Sequence, residues 1–397
     1  MNYDRVINRR IADVPPSGIR KFFDIVRQMP DAISLGVGEP DFVTPWSIRD
    51  AAIQSIEDGR TQYTSNWGLD TLREKIAAYL RMKYRVTYSA KDEVLVTVGA
   101  SEGIDLALRA VICPGDEVLI PEPSYVSYAP CVTFSGGVSV PVVTRAEDEF
   151  ALTPEALAAA ITPRTKAIIL PYPNNPTGGV MTRAQLQAIA RVLEGTDIVV
   201  ISDEIYSELV YSGHEHTAFA SIEGMRERTV TLNGFSKAFA MTGWRVGYIA
   251  APRELLAPMF KIHQYTMLCA SIQGQIAADR ALGRAFESGF EDVRTMVRSY
   301  DRRRRLMVEG FNAMGLSCFE PRGAFYVFPS IASTGMTSEE FCTKLLEQKK
   351  VACVPGTAFG ASGEGHIRCS YATSLQNLNI ALERIREFVA ECRAQQG

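Results

Sequence analysis

Short apolar runs, uninterrupted and repeated between helical patterns, narrow the folds open to this chain more than any other feature. The runs at 94–98, 117–120, 138–143, 167–171, 198–202, 230–232 and 247–251 show little polar alternation. Such runs suit strands buried on both faces, as in an α/β sheet with helices on each side. Helical patterns fill the gaps at 46–57, 69–84, 102–111, 124–134 and 182–193, with Thr182 placed to cap the last of these.

After about Pro252 the pattern changes to long, arginine-rich helices and then to strand candidates at 324–328, 351–354 and 366–370. That change predicts a second, α+β domain, with the boundary within or beside a helix near residue 285. The division expected is a large domain over 46–284 and a small one built from 1–45 and 285–397. A chain of 397 residues has room for both, since compact domains usually run about 100 to 150 residues.

Charge and composition remove several function classes. Lys plus Arg is 42 against 45 for Asp plus Glu, and there is no basic tract, so no nucleic-acid or anionic-membrane partner is expected. The run Arg302 to Arg305 is expected on a solvated helix face. No apolar run approaches the roughly 18 residues of a membrane helix. The opening MNYDRVINRR lacks the apolar core of a secretory signal, and a cytoplasmic location is expected. Eight cysteines without a C-x-x-C pair are read as reduced thiols, mostly buried. His214 and His216 are assigned to a loop, and no metal site is expected. Without H-E-x-x-H or a triad framework, hydrolytic chemistry has little support.

Six stretches carry candidate chemistry, each with a plainer reading beside it. Lys237 is the only lysine between Lys166 and Lys261 and lies among small and apolar residues. It is either a desolvated, nucleophilic amine able to form a Schiff base or a stem packed on the sheet with its head in water. Asp203 falls at the carboxyl end of a buried run, where ligands bind in open α/β sheets. It would hold a cationic ring nitrogen or cap a helix. Gly99-Ala-Ser-Glu-Gly103 would bring helix N–H groups to a phosphate or make a tight turn. Pro173-Asn-Asn-Pro-Thr-Gly178 offers a fixed polar surface or a rigid turn. Leu35-Gly-Val-Gly-Glu-Pro-Asp41 serves a bend or a close approach to a ligand. Arg368, on 366–370, would grip a carboxylate or make a structural ion pair. Gly234-Phe-Ser-Lys-Ala238 resembles the start of a nucleophile elbow, but Ala238 breaks that pattern.

The joint order of Gly38-Glu-Pro-Asp-Phe42, Tyr63 before Gly68, Gly99-Ala-Ser101, Asn175-Pro-Thr-Gly178, Asp203-Glu-Ile-Tyr206, Ser236-Lys237, Arg245 and Arg368 resembles the class I/II aminotransferases. The resemblance covers nearly the whole chain. It implies the fold type I of pyridoxal-phosphate enzymes, an α/β fold with a large domain built on a mostly parallel seven-stranded sheet between helices and a smaller α+β domain. Within the family the chain is similar to the branch with aromatic and N-acetyl-diaminopimelate aminotransferases. The stretches Ser17-Gly-Ile-Arg-Lys-Phe22, Leu170-Pro-Tyr-Pro-Asn174, His263-Gln-Tyr265 and Cys269-Ala-Ser271 lean towards the latter.

The resemblance also implies roles. Lys237 would hold pyridoxal 5′-phosphate and act as general base and acid. Asp203 would keep the pyridine nitrogen protonated, Tyr206 and Asn175 would bond the phenolic oxygen, and Tyr125 would stack on the ring. Ala100, Ser101, Ser236 and Arg245 would hold the phosphate, joined by Tyr63 from the other subunit of a homodimer. Arg368, Asn175 and Gly38 would bind the α-carboxylate of an L-amino acid or 2-oxo acid. The aspartate enzymes' extra arginine has no counterpart between Lys261 and Ser271, which points to another distal group, with Phe22, Tyr125 and Tyr265 as candidate walls. A β-eliminating lyase on the same fold is the rival reaction. A non-enzymatic regulator would need a DNA-binding domain for which residues 1–30 are too short.

Overall fold

The computed structural model describes residues 1–16, 18, 29 and 31–394. Phe22 and most of the stretch 17–22 lie outside the described residues. After the two-residue β1 (Ile33–Ser34), seven strands follow: β2 (Val94–Thr97), β3 (Glu117–Glu122), β4 (Val138–Val143), β5 (Thr165–Leu170), β6 (Val199–Asp203), β7 (Thr229–Gly234) and β8 (Gly247–Ala250). They form one sheet in the order β2-β8-β7-β6-β5-β3-β4. Only β8 runs against its neighbours, β2 and β7, so the remaining six are parallel and end at one edge.

All seven expected runs are strands, and β2, β7 and β8 are buried along their whole length. Each fully buried Val, Leu or Ile contributes roughly 1.5–3 kcal/mol, so this layer is a large part of the drive to fold. One expectation is corrected. β4 is not buried on both faces: it is the outer strand, and Val138 and Val143 are 49% and 46% exposed. Its apolarity matches that of the inner strands, but no strand or helix covers its far side equally.

Helices Gly99–Val111, Tyr128–Phe134, Pro154–Ala160 and Arg183–Leu193 connect the parallel strands. Thr182 caps the last as expected, accepting from the Gln185 N–H while Gln185 reaches back to the Thr182 N–H. Gly103 lets its helix lie against the sheet, because a Cβ there would stand 3.0 Å from Leu232 Cδ2. The helix expected over 124–134 begins only at Tyr128. A start at 124 would bury Pro130 in a helix interior, where it lacks the N–H the ladder needs; from Tyr128 it sits in the first turn.

In the carboxyl-terminal part, β11 (Val354–Pro355), β12 (Ile367–Ser370) and β9 (Tyr326–Val327) form a three-stranded antiparallel sheet, and β10 (Val351–Ala352) pairs with β1. Met296, Tyr300, Met307 and Phe311 line one face of the helix Glu291–Ala313 and pack with Phe325, Phe341 and Phe388. Leu35, Tyr206 and Leu209 join the same core.

The arginine run on that helix is a solvated face only at Arg302 and Arg305, which are exposed. Arg304 is 1% exposed, bonded to Asp301, Glu320 and Ser212, and Arg303 pairs with Asp41. Both sit on the core-facing side with carboxylates opposite, which makes their burial tolerable. Cys318, Cys342, Cys353, Cys369 and Cys392 are buried free thiols. His216 lies in a loop and meets Glu204 at 3.0 Å.

Candidate active site

Because six strands end at one edge, residues distant in sequence are delivered to one place. Asp203 is the last residue of β6, Ser236 and Lys237 follow β7, the loop with Asn175 follows β5, Tyr125 follows β3, and the helix Gly99–Val111 follows β2. Arg245 precedes the antiparallel β8 and so reaches the same edge.

The Lys237 ammonium donates to the Gly38 carbonyl at 2.6 Å and stands 5.7 Å from the centroids of both Tyr206 and Phe325. Burial pushes its pKa down to about 8, against the opposing pull of Glu39 and with help from Arg368 and Arg245. The plainer reading, a head in free water, does not hold. Asp203 is 6% exposed, accepting from the Tyr128 hydroxyl at 2.8 Å and the Ile205 N–H at 3.2 Å. Burial raises its pKa, Tyr128 and Ile205 oppose this, and Glu204 adds to the rise. Its bond to Ile205 is the turn contact expected of the plainer reading, but Tyr128 and burial go beyond it.

Arg368 is the most constrained cation. It is 2% exposed, donates to Asn175 Oδ1 at 3.0 Å and to the Gly36 carbonyl, and lies over the rings of Tyr326 and Phe359 at 4.5 and 4.9 Å. Its Nε has no partner, and no carboxylate among the described residues pairs with it. Burial lowers its pKa. A buried guanidinium held only by neutral acceptors and π faces costs several kcal/mol unless an anion arrives. The structural ion pair that would have explained it is absent among the described residues.

At the other end of the site, glycine is required twice. A Cβ on Gly99 (φ 75°) would stand 2.6 Å from an Arg245 guanidinium nitrogen, and one on Gly247 would stand 2.5 Å from the Ala100 nitrogen. The guanidinium therefore rests on the first turn of the helix, whose N–H groups carry the positive end of the dipole. Half-buried Ala100 and exposed Ser101 belong to that turn. Together they make a cationic cradle fit for a phosphate.

Tyr206 bonds the Tyr326 hydroxyl at 2.9 Å, and Tyr125 meets Tyr128 edge-on at 5.5 Å. Tyr63 is not brought in: it is 82% exposed, and no hydrogen bond or ring contact joins it to the cluster. Tyr128 and Tyr326 were not anticipated, because each acts through a partner that only the folded chain brings near; Gly36 was read as part of a stretch serving a bend or a close approach to a ligand, and its carbonyl takes Arg368.

A buried amine and a buried acid at the carboxyl edge of a fold type I sheet, beside an anion cradle and a carboxylate receptor, define a pyridoxal-phosphate enzyme acting on amino acids. The donor set fits that cofactor: an amine for its aldehyde, an acid for its ring nitrogen and a cationic turn for its phosphate. The model of the family described as "Aminotransferase class I and II" matches residues 30–385. The chain belongs to that family and is a pyridoxal-phosphate-dependent aminotransferase.

An aspartate aminotransferase of Pyrococcus abyssi is 45% identical over 382 residues, covering 96% of this chain and 98% of its own. A Bacillus subtilis protein named "Probable N-acetyl-LL-diaminopimelate aminotransferase" is 41% identical over 390 residues, covering 98% and 97%. The crystal structure of an aromatic aminotransferase from Pyrococcus horikoshii superposes with a TM-score of 0.88 at 43% identity, covering 94% of this chain and 99% of that one. These relatives agree on the reaction and differ in the donor their names give.

Proposed function

We propose that the donor is an aromatic amino acid or N-acetyl-diaminopimelate and the acceptor 2-oxoglutarate, in a ping-pong cycle. The observation that carries this reading is the end of the helix Arg253–Thr266. Tyr265, Met267 and Leu268 are exposed there by 86%, 49% and 39%, and no arginine stands between Lys261 and Ser271. A surface of that kind favours a ring or an apolar stem over a second carboxylate. Aspartate and alanine are the competing donors.

Bound pyridoxal phosphate supplies an electron sink for the charge left when the donor Cα loses its proton. Lys237 holds the cofactor through its amine and then moves that proton as base and acid; a pKa of about 8 suits both directions near neutrality. Asp203 holds the positive charge on the pyridine nitrogen. Tyr206 and Asn175 serve the phenolic oxygen, and Tyr125 covers one ring face. Ala100, Ser101, Ser236 and Arg245 take the phosphate. Arg368, Asn175 and the Gly38 N–H fix the α-carboxylate, so that the Cα–H bond, and not the bond to the carboxylate, is the one aligned for cleavage.

In this reading the protein is a cytoplasmic homodimer, with Tyr63 serving the phosphate across the interface. The chain divides near residue 285 into a large domain over 46–284 and a small one from 1–45 and 285–397. Among the described residues no helix is long and apolar enough to cross a membrane.

The test is the absorption spectrum of the pyridoxal-phosphate-loaded protein while single donors are added without an oxo acid. Loss of the yellow band, fastest with an aromatic donor or N-acetyl-diaminopimelate, is the expected result. Fastest loss with aspartate or alanine would overturn the donor assignment. A persistent band with ammonia and pyruvate accumulating from cysteine or cystathionine would indicate the β-lyase.

A further inference from the structure

The segment between β1 and the helix Trp46–Glu57 runs across the site and is tied down at five points. The Gly36 carbonyl takes Arg368, the Gly38 carbonyl takes Lys237 at 2.6 Å, and Glu39 accepts from Thr242 at 3.0 Å. Thr44 donates to the Ala240 carbonyl at 2.6 Å and accepts from the Trp244 indole at 3.1 Å. The fifth tie is of a different kind. Asp41 receives one Arg303 nitrogen at 2.8 Å on each oxygen, with the Tyr300 hydroxyl at 3.4 Å.

That pair is built with care for its surroundings. The Arg303 side chain is 11% exposed and Asp41 28%. The guanidinium lies 5.6 Å from the Phe42 centroid and 5.4 Å from that of Tyr300, and those two rings meet edge-on at 5.4 Å. A flat cation packed against two aromatic rings, with one nitrogen on a carboxylate, is a contact lysine reproduces only in part. It joins the helix Glu291–Ala313 to the segment whose backbone carbonyls accept from both working cations of the site.

We propose that Arg303 and Asp41 are positioning residues for transamination, holding the Gly36 and Gly38 carbonyls in register on Arg368 and Lys237. Neither touches the reacting atoms. This rests on the roles given above to Lys237 and Arg368. Releasing Asp41 lets the segment shift, so Arg368 loses an acceptor that orients it towards the carboxylate. Lys237 loses the acceptor that fixes its amine.

The test compares Asp41→Asn, Arg303→Met, Arg303→Lys and Asp41→Asn with Arg303→Met combined, measured as loaded enzymes. Arg305→Met is the control, an arginine on the same helix whose side chain is 63% exposed. The expected result is a fall in kcat/KM of roughly 10- to 100-fold, the scale of a misplacement of about 1 Å, with part of it as a raised KM for donors. The double variant should be no worse than the worse single, and Arg303→Lys should lie between parent and Arg303→Met.

A second readout uses apoprotein: pyridoxal phosphate capture, trapped with borohydride, should slow in the same order. Folded variants with parental KM, kcat and capture rate would overturn the proposal. A purely structural role would lower the melting temperature alone, and that outcome also overturns it; should Arg303→Met not fold, Arg303→Lys decides. Lys237→Ala run in parallel separates the two readings, because activity retained there sinks the site assignment itself.

Discussion

Replacing Tyr128 by Phe should slow the donor half-reaction by roughly 10- to 100-fold while leaving the fold intact. Asp203 is buried, and the rise of its pKa is opposed by the Tyr128 hydroxyl at 2.8 Å, the Ile205 N–H at 3.2 Å and, less, the charge of Lys237. A hydrogen bond to a charged group contributes about 1.5–3 kcal/mol, and each 1.4 kcal/mol is about tenfold in rate or equilibrium. Phe keeps the ring, which is 3% exposed and packed edge-on against Tyr125, so the loss falls on ionised Asp203. In the proposed function that ionised acid would hold positive charge on the pyridine nitrogen. The sign follows from the direction of the shift. An acid whose folded pKa is raised is ionised only above that raised value, and the variant raises it further. The acid limb of the rate profile should therefore move to higher pH. Stopped-flow decay of the yellow band on adding donor, measured across pH, reads both effects. A rate within about twofold of parent and an unmoved acid limb, while Asp203→Ala is strongly slowed, would refute the reasoning.

Other consequences follow from the same geometry. Arg368→Lys keeps the charge but not the flat fork between Tyr326 and Phe359, so donor KM should rise by roughly 10- to 100-fold with a smaller change in kcat; steady-state kinetics decide. Lys237 has a folded pKa of about 8 against an ordinary value of 10.5, so apoprotein stability should increase as pH rises from about 8 towards 10.5, where only the unfolded chain stays fully protonated. Urea midpoints of the parent, compared with Lys237→Met, test this; equal slopes would exclude it. Mixing inactive Lys237→Ala with Tyr63→Ala subunits should restore about a quarter of the parental sites if the dimer shares them; no recovery after confirmed subunit exchange would remove Tyr63 from the partner's site.

Much of the fold was legible because buried parallel strands carry a simple signal, and all seven runs were strands. What the runs could not show was position in the sheet. β4 is as apolar as β5, yet stands at the edge, because order depends mostly on which crossovers follow; the one local sign is Pro141, which cannot donate to a neighbouring strand. Half of the arginine run was misleading for a similar reason: Arg302 and Arg305 are exposed, but Arg303 and Arg304 look solvated only until Asp41 and Glu320, remote in sequence, are folded against them. Lys237 and Asp203 were legible because a lone lysine among small residues and an acid closing a buried strand are each odd locally. Tyr128 and Tyr326 were not, since their partners lie 75 and 120 residues away.

The charge pattern explains why these residues need one another. Arg368 is buried and Lys237 half-buried, and each raises the cost of the other's charge: Arg368 is among the causes that lower the Lys237 pKa. Among the described residues neither has a carboxylate in direct contact, and the acceptors that hold them, Asn175 and the Gly36 and Gly38 carbonyls, are neutral. A fold meant only to be stable would replace such cations with apolar side chains. Holding them on neutral acceptors keeps them in place without cancelling their charge. An arriving carboxylate can then satisfy Arg368, and its own charge favours the protonated form of Lys237. The reverse follows when the carboxylate leaves. If Arg368 and Lys237 have the roles proposed above, the backbone carbonyls of residues 36 and 38 let one short segment set both the grip on the substrate and the proton affinity of the base, and that segment is fastened to the carboxyl-terminal core through Asp41 and Arg303.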